Sequence, residues 1–357
     1  MLIESWVVRA PGEPMVLEKR EVALGHGDAL IAVHGCGVCH TDLGFYYEGV
    51  RTRHPLPLTL GHEVSGRVVE TGEGARGWLH ADVIVPAVIP CGSCDACRAG
   101  RGAICPHQIF PGNDVHGGFG SHLVVPARGL CRVPDLSDPK RNPHDVDLAD
   151  LSVIADAIST PYQAIRRAEV GPRDLAIFVG VGGVGGFGVQ IAAALGAHVV
   201  AIDVDPGRLA LAAEHGAGLV LDASRLDLKE IKTRVKAVAG EMGIHGYRTK
   251  IFETSGTTAG QATAFGLLVH GAYLSIVGYT AGKVELRLSN VMALDATIQG
   301  NWGCLPELYP EVLELVLAGK VQLGPYVERR PLASINETFM DLRDHRLSRR
   351  VVLYPEI

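Results

Sequence analysis

A glycine-rich turn between a predicted strand and a predicted helix constrains the fold of this chain most strongly. The run Gly180-Val181-Gly182-Gly183-Val184-Gly185 follows apolar residues 175–179 and precedes a helical pattern over 184–195. In this G-x-G-x-x-G motif the first glycine permits a tight turn, the second lets the backbone approach a pyrophosphate, and the third lets the helix pack on the strand. Because the helix amino terminus also offers unpaired N–H groups to phosphates, the motif predicts a dinucleotide site.

A carboxylate follows the second strand of this predicted βαβ unit. The strand at 198–202 ends at Asp203, 18 residues after Gly185. An acidic group there accepts hydrogen bonds from ribose hydroxyls and repels a 2′-phosphate, which favours NAD over NADP. NADP stays open as the alternative because Arg208 follows soon after. The predicted contacts of NAD are Gly180, Gly182, Gly183, Val184, Gly185, Asp203 and Arg208.

The sequence pattern changes once along the chain and predicts two kinds of domain. Residues 1–135 contain short β-branched runs separated by glycine or proline, which are typical of an all-β body. From about Leu151, apolar strands alternate with helical patterns, as a doubly wound parallel sheet of the α/β class requires. The Pro- and Asp-rich stretch at 134–150 is the nearest thing to a linker.

Composition excludes several classes of protein. The 357 residues carry 33 basic and 39 acidic side chains, a net charge of −6, so we expect neither a nucleic-acid nor a membrane partner. The sequence contains no apolar run of about 18 residues, and its amino terminus alternates like a strand and not like a signal peptide. We therefore expect a cytoplasmic protein whose eight cysteines form no disulfide framework.

Four cysteines form a first candidate metal site. Cys91, Cys94, Cys97 and Cys105 lie within fifteen residues on a loop that contains glycine and proline. Four thiolates close a tetrahedral site to water and substrate, which predicts a structural zinc. An iron–sulfur cluster and unused thiols are the alternatives. A nucleic-acid-binding zinc ribbon is disfavoured because only two arginines lie nearby.

A second candidate site combines two predicted loops of the β body. Cys36-Gly37-Val38-Cys39-His40 fits the C-x-x-C-H motif of c-type haem, which would make the protein an electron carrier, but that class requires export. Together with Gly61-His62-Glu63, Cys39 instead offers a thiolate, an imidazole and a carboxylate to an open zinc site, which needs three protein ligands and a vacancy. Cys131 and Cys304 lie apart from both clusters and are predicted to be buried apolar residues.

These motifs resemble, in this order and spacing, the zinc-containing medium-chain alcohol dehydrogenases over nearly the whole chain. The resemblance rests on Cys39-His40-Thr41-Asp42, Gly61-His62-Glu63, the four-cysteine lobe and Gly180–Gly185. It implies NAD-dependent oxidation of an alcohol by an enzyme with two zinc ions, one catalytic and one structural. It also implies a homodimer or homotetramer joined through Rossmann sheet edges.

The resemblance further implies that both ends of the chain form one GroES-like β-barrel catalytic domain, into which a Rossmann domain is inserted. We accordingly expect the catalytic domain at residues 1–157, with the structural zinc lobe at about 90–106. The NAD-binding domain is expected at 158–300, and the return to the catalytic domain at 301–357.

For the catalytic zinc, the resemblance assigns Cys39 and His62 as ligands and Glu63 as a carboxylate that approaches the metal during ligand exchange. The third ligand departs from the family pattern, since Asp156 stands where alcohol dehydrogenases have cysteine. A carboxylate oxygen is an acceptable zinc ligand. We therefore predict Asp156 as the third ligand, with a metal-adjacent or helix-capping role as the alternative.

The resemblance also implies a proton relay and further cofactor contacts. Thr41 matches the hydroxyl that takes the substrate proton and passes it through the cofactor ribose. The histidine that ends this relay in some members is replaced by Gly44, so His40 either replaces it or contacts the pyrophosphate. Arg350 resembles the pyrophosphate contact of the family, and the segment with Val277 and Tyr279 is expected against the nicotinamide.

Three stretches, residues 36–47, 112–119 and 288–305, resemble more narrowly the dehydrogenases that oxidise a cyclic secondary alcohol carried as an acyl-CoA thioester. Arg51 and Arg53, on the loop between Cys39 and His62, are then candidates to bind the CoA phosphates. Alternatively, both arginines are ordinary solvent-exposed residues of this loop with no role in binding. A non-CoA cyclic, benzylic or polyol alcohol is the alternative substrate.

Overall fold

The computed structural model describes residues 1–356, which divide into two compact units. The first unit comprises Met1–Ser159, Gly303–Gly319 and the chain from Tyr326 onwards, and the second comprises Thr160–Trp302 and Lys320–Pro325. Within the described residues, none of the helices combines the length and the apolar character needed to cross a membrane.

The described residues form fifteen β-strands and ten α-helices. In chain order they are β1 (Leu2–Val7), β2 (Val16–Glu21), β3 (Asp28–Gly37), α1 (His40–Tyr47), β4 (Glu63–Thr71), β5 (Asp82–Val85), α2 (Asp95–Arg98), β6 (His122–Pro126), β7 (Cys131–Arg132), α3 (Ser159–Arg167), β8 (Leu175–Val179), α4 (Gly185–Ala194), β9 (His198–Asp203), α5 (Pro206–Glu214), β10 (Leu219–Asp222), α6 (Leu228–Glu241), β11 (Thr249–Glu253), α7 (Thr258–Gly266), β12 (Tyr273–Ile276), α8 (Ser289–Ala293), β13 (Thr297–Gly300), α9 (Tyr309–Leu317), β14 (Val327–Pro331), α10 (Ile335–Arg343) and β15 (Arg350–Tyr354).

Antiparallel strands form the body of the first unit, as its β-branched runs predict. The ten-residue strand β3 pairs with β4 along one edge and with β6 and β15 along the other. Most side chains of β3 are buried, and the core around it contains Ile31, Val33, Val64 and Leu123. Because β15 pairs with the last two residues of β3, the carboxyl-terminal strand lies beside the turn that leads to Cys39.

The stretch at 134–150 lies inside the first unit, so its prediction as a linker is wrong. The Asn142 side chain accepts a hydrogen bond from the Val146 N–H at 2.8 Å and donates to the Leu136 and Val146 carbonyls. Ser65 in β4 donates to the Leu148 carbonyl at 2.6 Å. The Asn142 bonds lie within the stretch, and the Ser65 bond ties it to the β body. The chain passes between the units at Ser159, the first residue of α3.

Six parallel strands form the sheet of the second unit, in the order β10-β9-β8-β11-β12-β13. This is the 3-2-1-4-5-6 order of doubly wound dinucleotide-binding folds, which confirms the predicted fold class. Every residue of β8 is buried, as expected for a central parallel strand covered on both faces. The strand order reverses between β8 and β11, and ligands of such sheets bind at the carboxyl ends of the strands at this point.

Candidate active site and metal centres

The four lobe cysteines of the first unit converge on one point. The Cys94 sulfur lies 3.5 Å from that of Cys97 and 3.6 Å from that of Cys105, and the Cys91 and Cys97 sulfurs are 3.9 Å apart. A tetrahedral cation with metal–sulfur bonds of about 2.3 Å needs sulfur atoms about 3.8 Å apart. The cluster therefore fits the closed structural zinc site that the cysteine spacing predicts.

Backbone donors and sulfur–sulfur contacts shape the charge of this lobe. The N–H groups of Ser93 and Cys94 lower the pKa of Cys91 to about 5. Partial burial and the neighbouring Cys94 thiol raise the pKa of Cys97 to about 12. Neighbouring thiolates disfavour one another, so a bound cation is what allows all four sulfurs to ionise together.

A second cluster joins Cys39, His62 and Asp156 from three separate segments of the first unit. The Asp156 Oδ2 atom lies 3.7 Å from Cys39 Sγ and 3.6 Å from His62 Nε2. Tetrahedral ligands at metal bonds of about 2.0 to 2.3 Å lie about 3.3 to 3.6 Å apart, so one zinc ion fits among these atoms. Glu63 also offers a carboxylate oxygen within 4.8 Å of the group.

Each of these side chains lies where a secondary-structure element begins or ends. Cys39 is the N-cap residue of α1, His62 directly precedes β4, and Asp156 follows the 3₁₀ turn Asp150–Ala155. The antiparallel register of β3 and β4 sets Gly37 opposite Glu63 and so brings the first two ligands together. A Cβ atom on Gly37 would lie 2.1 Å from Glu63 Oε2, so glycine is required opposite this carboxylate.

The ring of His62 carries the clearest sign of a missing ligand. His62 is 1% exposed, yet among residues 1–356 neither ring nitrogen makes a well-aligned hydrogen bond, although carboxylate oxygens lie 3.3 Å from Nδ1 and 3.6 Å from Nε2. Buried polar atoms nearly always have partners. Since Nε2 is the nitrogen near Cys39 and Asp156, it fits a metal ligand. Burial lowers the pKa of His62, but the carboxylates of Asp42 and Asp156 raise it overall, so this point of the site attracts positive charge.

Asp42 supports the same ring, and its role was not predicted from the sequence. Its buried carboxylate accepts the Cys39 N–H at 3.0 Å and the Gly61 N–H at 3.2 Å, and Oδ1 lies 3.3 Å from His62 Nδ1. A carboxylate beside the second nitrogen of a metal-binding histidine fixes the orientation of the ring. The signal that could have found Asp42 is its position three residues after the N-cap Cys39, where a carboxylate completes a capping box.

Glu63 forms a buried ion pair with Arg350. The Arg350 Nε donates to Glu63 Oε2 at 2.8 Å, and Nη2 donates to Oε1. Burial lowers the pKa of Arg350, but the charge of Glu63 raises it overall, so the guanidinium stays charged. Both Glu63 oxygens are thus engaged, whereas Asp156 Oδ2 lies close to Cys39 and His62. The sequence did not predict this pair, and the assignment of Arg350 to the pyrophosphate stays a prediction.

The other side chains predicted for the first unit lie around this cluster. Thr41 Oγ1 is 3.7 Å from Cys39 Sγ, and His40 is the exposed first residue of α1. Cys36 is fully buried within β3, which argues against covalent haem at Cys36 and Cys39 and hence against an electron carrier.

The two arginines of the 48–57 loop differ in their partners. Arg51 is exposed, whereas Arg53 pairs with Asp114 at 3.3 Å while its side chain remains 59% exposed. The Arg53 N–H also donates to Asn113 Oδ1 at 3.1 Å. The loop is therefore tied to the 112–119 stretch, and both guanidinium groups can be reached by an anion.

In the second unit, the glycine motif forms the turn from β8 to α4. Gly180 has φ +88°, and a Cβ atom there would lie 2.4 Å from Ser255 Cα. A Cβ atom on Gly185 would lie 1.9 Å from the Gly180 carbonyl oxygen. Gly182, Gly183 and Val184 are half-buried. The backbone at this helix amino terminus is thus open to a phosphate group, as the motif predicts.

Asp203 is held against the same turn. Its Oδ2 accepts the Val181 N–H at 2.7 Å, and its Oδ1 accepts the N–H groups of Val204 at 2.8 Å and Asp205 at 3.0 Å. Arg208 lies across the turn, with Nη1 3.5 Å from the position of a Cβ atom on Gly182. The structure therefore brings the predicted carboxylate and the predicted cation to one turn.

The predicted nicotinamide segment follows β12. The N–H groups of Val277 and Gly278 both donate to the Glu253 carbonyl at 2.9 Å, and Tyr279 is exposed. The segment is thereby anchored to the end of β11. In the sheet, β11 is separated by β12 from the edge strand β13.

Comparisons with known proteins agree with this geometry. The family model described as "Alcohol dehydrogenase GroES-like domain" matches residues 25–135, and the one described as "Zinc-binding dehydrogenase" matches residues 183–318. The chain is 31% identical over 357 residues to an NAD-dependent alcohol dehydrogenase of Sulfolobus acidocaldarius, with 96% of each chain covered. It is 29% identical over 343 residues to an alcohol dehydrogenase of Geobacillus stearothermophilus, covering 94% of this chain and 95% of the relative.

Solved structures show the same similarity. The alcohol dehydrogenase of Aeropyrum pernix superimposes with a TM-score of 0.86 at 29% identity, covering 99% of this chain and 100% of that one. An Escherichia coli galactitol-1-phosphate dehydrogenase shares the fold, with a TM-score of 0.85 at 24% identity and coverage of 99% and 100%.

Proposed function

Because the chain belongs to the zinc-containing medium-chain alcohol dehydrogenase family, we propose that it oxidises a cyclic secondary alcohol and transfers the hydride to NAD. The substrate proposed is 6-hydroxycyclohex-1-ene-1-carbonyl-CoA, and the product is 6-oxocyclohex-1-ene-1-carbonyl-CoA, a reaction of anaerobic benzoyl-CoA degradation. The observation that carries the chemistry is the convergence of Cys39, His62 and Asp156, in which Asp156 Oδ2 lies 3.7 Å from Cys39 Sγ and 3.6 Å from His62 Nε2.

Asp156 is the third ligand in this proposal, and Glu63 is not. Arg350 already occupies both Glu63 oxygens, so zinc ligation by Glu63 requires that ion pair to open. Asp156 Oδ2 already lies beside Cys39 Sγ and His62 Nε2. A carboxylate in place of the family's thiolate is a harder ligand that transfers less charge to the metal, which suits stronger polarisation of the substrate oxygen.

Zinc held by Cys39, His62 and Asp156 would lower the pKa of the substrate hydroxyl, and NAD would supply the hydride acceptor. The chain itself handles the proton. We assign it to the Thr41 hydroxyl, 3.7 Å from Cys39 Sγ, which would accept the substrate proton and pass its own to the cofactor ribose. His40 follows Cys39 directly, and its exposed position supports either of its two predicted roles, relay end or pyrophosphate contact.

NAD would be held by the β8–α4 turn, with its pyrophosphate at Gly180, Gly182, Gly183, Val184 and Gly185. Asp203 would bind the adenosine ribose, Arg208 would lie beside the phosphates, and Val277 and Tyr279 would contact the nicotinamide. The printed description of the Sulfolobus acidocaldarius relative supports NAD as the cofactor. A pyrophosphate contact of Arg350 would have to use Nη1 or the second N–H of Nη2, since Nε and one N–H of Nη2 are bound to Glu63.

The CoA part of the substrate is assigned to Arg51 and Arg53. Both guanidinium groups are accessible, and the phosphates of CoA would compete with Asp114 for Arg53. The sequence resemblance over 36–47, 112–119 and 288–305 supports this substrate class. A non-CoA cyclic, benzylic or polyol alcohol is the second candidate, because membership of the family implies an alcohol substrate but no CoA group.

The test is NADH formation from the hydroxycyclohexenyl thioester, its free acid, benzyl alcohol and cyclohexanol. We expect kcat/KM for the thioester to exceed that for the free acid by at least about tenfold, as one charged hydrogen bond to phosphate contributes. The double variant Arg51→Ala/Arg53→Ala should reduce the difference in kcat/KM between the thioester and the free acid. The control Arg76→Ala/Arg141→Ala removes two other exposed arginines and should leave this difference unchanged. Equal kcat/KM for thioester and free acid would rule out the CoA assignment.

We also propose a homo-oligomer, dimer or tetramer, built through the free edge of β13. Ile298 on this strand and the nearby Leu288 and Met292 are exposed, the last two by 70% and 76%. Light scattering on the purified protein measures the oligomeric state. A monomer at micromolar concentration would refute this proposal.

A further inference from the structure

The carbonyl group of Ala155, in the residue directly before Asp156, lies against three hydrogen-bond donors. Tyr309 donates its hydroxyl proton to this oxygen, Ser159 Oγ donates at 3.2 Å, and the Ala87 N–H points to it at 3.4 Å. A carbonyl at the end of a helical turn ordinarily lacks a partner within the helix. Here the 3₁₀ turn Asp150–Ala155 ends, and side chains from elsewhere in the first unit supply the partners.

Tyr309 is a permanent donor in this arrangement. The side chain is fully buried at the start of α9, and its hydroxyl also accepts the Ala87 N–H at 3.3 Å. Burial and the neighbouring Cys304 raise the pKa of Tyr309 well above its usual value, so the phenol keeps its proton. The phenol thus links the β body at Ala87 to the peptide between Ala155 and Asp156.

Asp156 needs such support more than the other two ligands do. Cys39 and His62 are each next to a strand of the central β3–β4 pair, and Asp42 hydrogen-bonds the backbone beside both. Asp156 has φ −141° and ψ −57°, outside helix and strand geometry. Because the planar Ala155–Asp156 peptide sets the direction in which the Asp156 side chain leaves the backbone, hydrogen bonds to the Ala155 carbonyl restrict where the ligand oxygen can lie.

We propose that Tyr309 is a positioning residue that holds the Asp156 carboxylate in place for zinc. The inference rests on the proposed role of Asp156 as a zinc ligand. It gives a role in the metal site to a residue 154 positions from Ala155 along the chain and outside every motif of the site.

The test is the affinity of the two zinc sites in the intact holoenzyme carrying Tyr309→Phe, measured by chelator competition with zinc release followed over time. Loss of an outer hydrogen bond to a ligand typically weakens metal binding by about 10- to 100-fold. We expect a weakening of this size for one zinc only, with the four-cysteine zinc unchanged. Cobalt bound at the weakened site should have an altered absorption spectrum, because the position of the Asp156 ligand has changed. If Tyr309→Phe only lowered the stability of the fold, the cobalt spectrum would be the same as in the parent.

The matched control is Tyr46→Phe. Tyr46 is also buried in the first unit, and its hydroxyl donates to the Glu13 carbonyl at 2.6 Å, a contact that involves no ligand-bearing peptide. This variant should lower the thermal stability to a similar extent while both zinc affinities stay as in the parent. Equal zinc affinities in Tyr309→Phe and Tyr46→Phe would overturn the inference.

Two further variants keep the test decisive. If Tyr309→Phe does not fold, Ser159→Ala removes the second donor to the same carbonyl, and unchanged zinc affinity in that variant would also overturn the inference. Asp156→Ala separates the two proposals. If it leaves zinc affinity unchanged, the ligand role of Asp156 fails; if it weakens zinc and Tyr309→Phe does not, only the role of Tyr309 fails.

Discussion

The carboxylate of Asp42 lies 3.3 Å from Nδ1 of His62, with both side chains almost fully buried. The same carboxylate accepts the N–H of Cys39 and that of Gly61. One acidic group therefore contacts the backbone of one proposed zinc ligand, the backbone of the residue before the second, and the ring of the second itself. Asp42 therefore positions the site although it is not among the four side chains that could hold the metal.

Asp42→Ala should weaken zinc binding at the Cys39–His62–Asp156 site by about 10- to 100-fold, because the imidazole loses the group that orients it. Zinc content after dialysis against a chelator measures the effect. The four-cysteine zinc serves as the internal control, since Asp42 contacts none of its sulfurs. Full retention of both zinc ions would show that the ring of His62 is oriented by other contacts.

Cys105→Ser should remove one zinc per chain and lower the melting temperature, because three thiolates cannot close a structural site whose metal contributes to folding. Metal analysis and thermal unfolding measure the two effects. Cys131→Ser is the matched control: Cys131 is equally buried, and burial raises its pKa to about 12, so it is a neutral thiol outside both clusters. Two zinc ions retained in Cys105→Ser would remove this residue from the ligand set.

Asp203→Ala should raise the KM for NAD. It should also reduce the ratio of kcat/KM for NAD to that for NADP, because the carboxylate that would repel a 2′-phosphate is gone. Steady-state kinetics with both cofactors measure the ratio. Asp222→Ala provides the control, since Asp222 ends the neighbouring strand β10 directly opposite Asp203 in the parallel register. An unchanged ratio in Asp203→Ala would move cofactor discrimination elsewhere, and Arg208 would be the first residue to vary.

The stability of the folded chain should fall as the pH drops from about 6.5 to about 4. Burial and the charges of Arg20 and His54 lower the pKa of His116 to about 4, and its Nδ1 lies 3.2 Å from the Thr59 N–H that donates to it. Below the ordinary histidine pKa the unfolded chain therefore binds a proton that the folded chain does not. This favours unfolding as the pH falls through that window.

Urea unfolding at several pH values tests this linkage. His116→Asn keeps an acceptor for Thr59 but does not titrate, so its stability should depend less on pH between about 4 and 6.5 than that of the parent. His345→Asn replaces an exposed histidine and should follow the parent. Identical slopes for His116→Asn and the parent would show that other groups carry the pH dependence.

The sequence by itself determined the features whose signal lies within a few consecutive residues. The Gly180–Gly185 turn, the strand before it and the strand that ends at Asp203 follow from local patterns of glycine and apolar residues, and the structure has β8 at the predicted residues and β9 one residue longer. The four-cysteine lobe is equally local, because all its sulfurs come from one loop. Strand and helix alternation then fixed the class of the second unit, since parallel strands need long crossovers.

Only the tertiary structure decided which distant side chains meet. Glu63 and Arg350 are 287 positions apart, Ala155 and Tyr309 are 154 apart, and Ser65 reaches Leu148 across 83 positions in the stretch predicted to be a linker. Such contacts depend on strand register and on how buried polar groups find partners, and neither is encoded in a short window of sequence. The sequence thus predicted side chains that the structure brings together as two candidate metal sites, while the groups packed behind them became visible only in the fold.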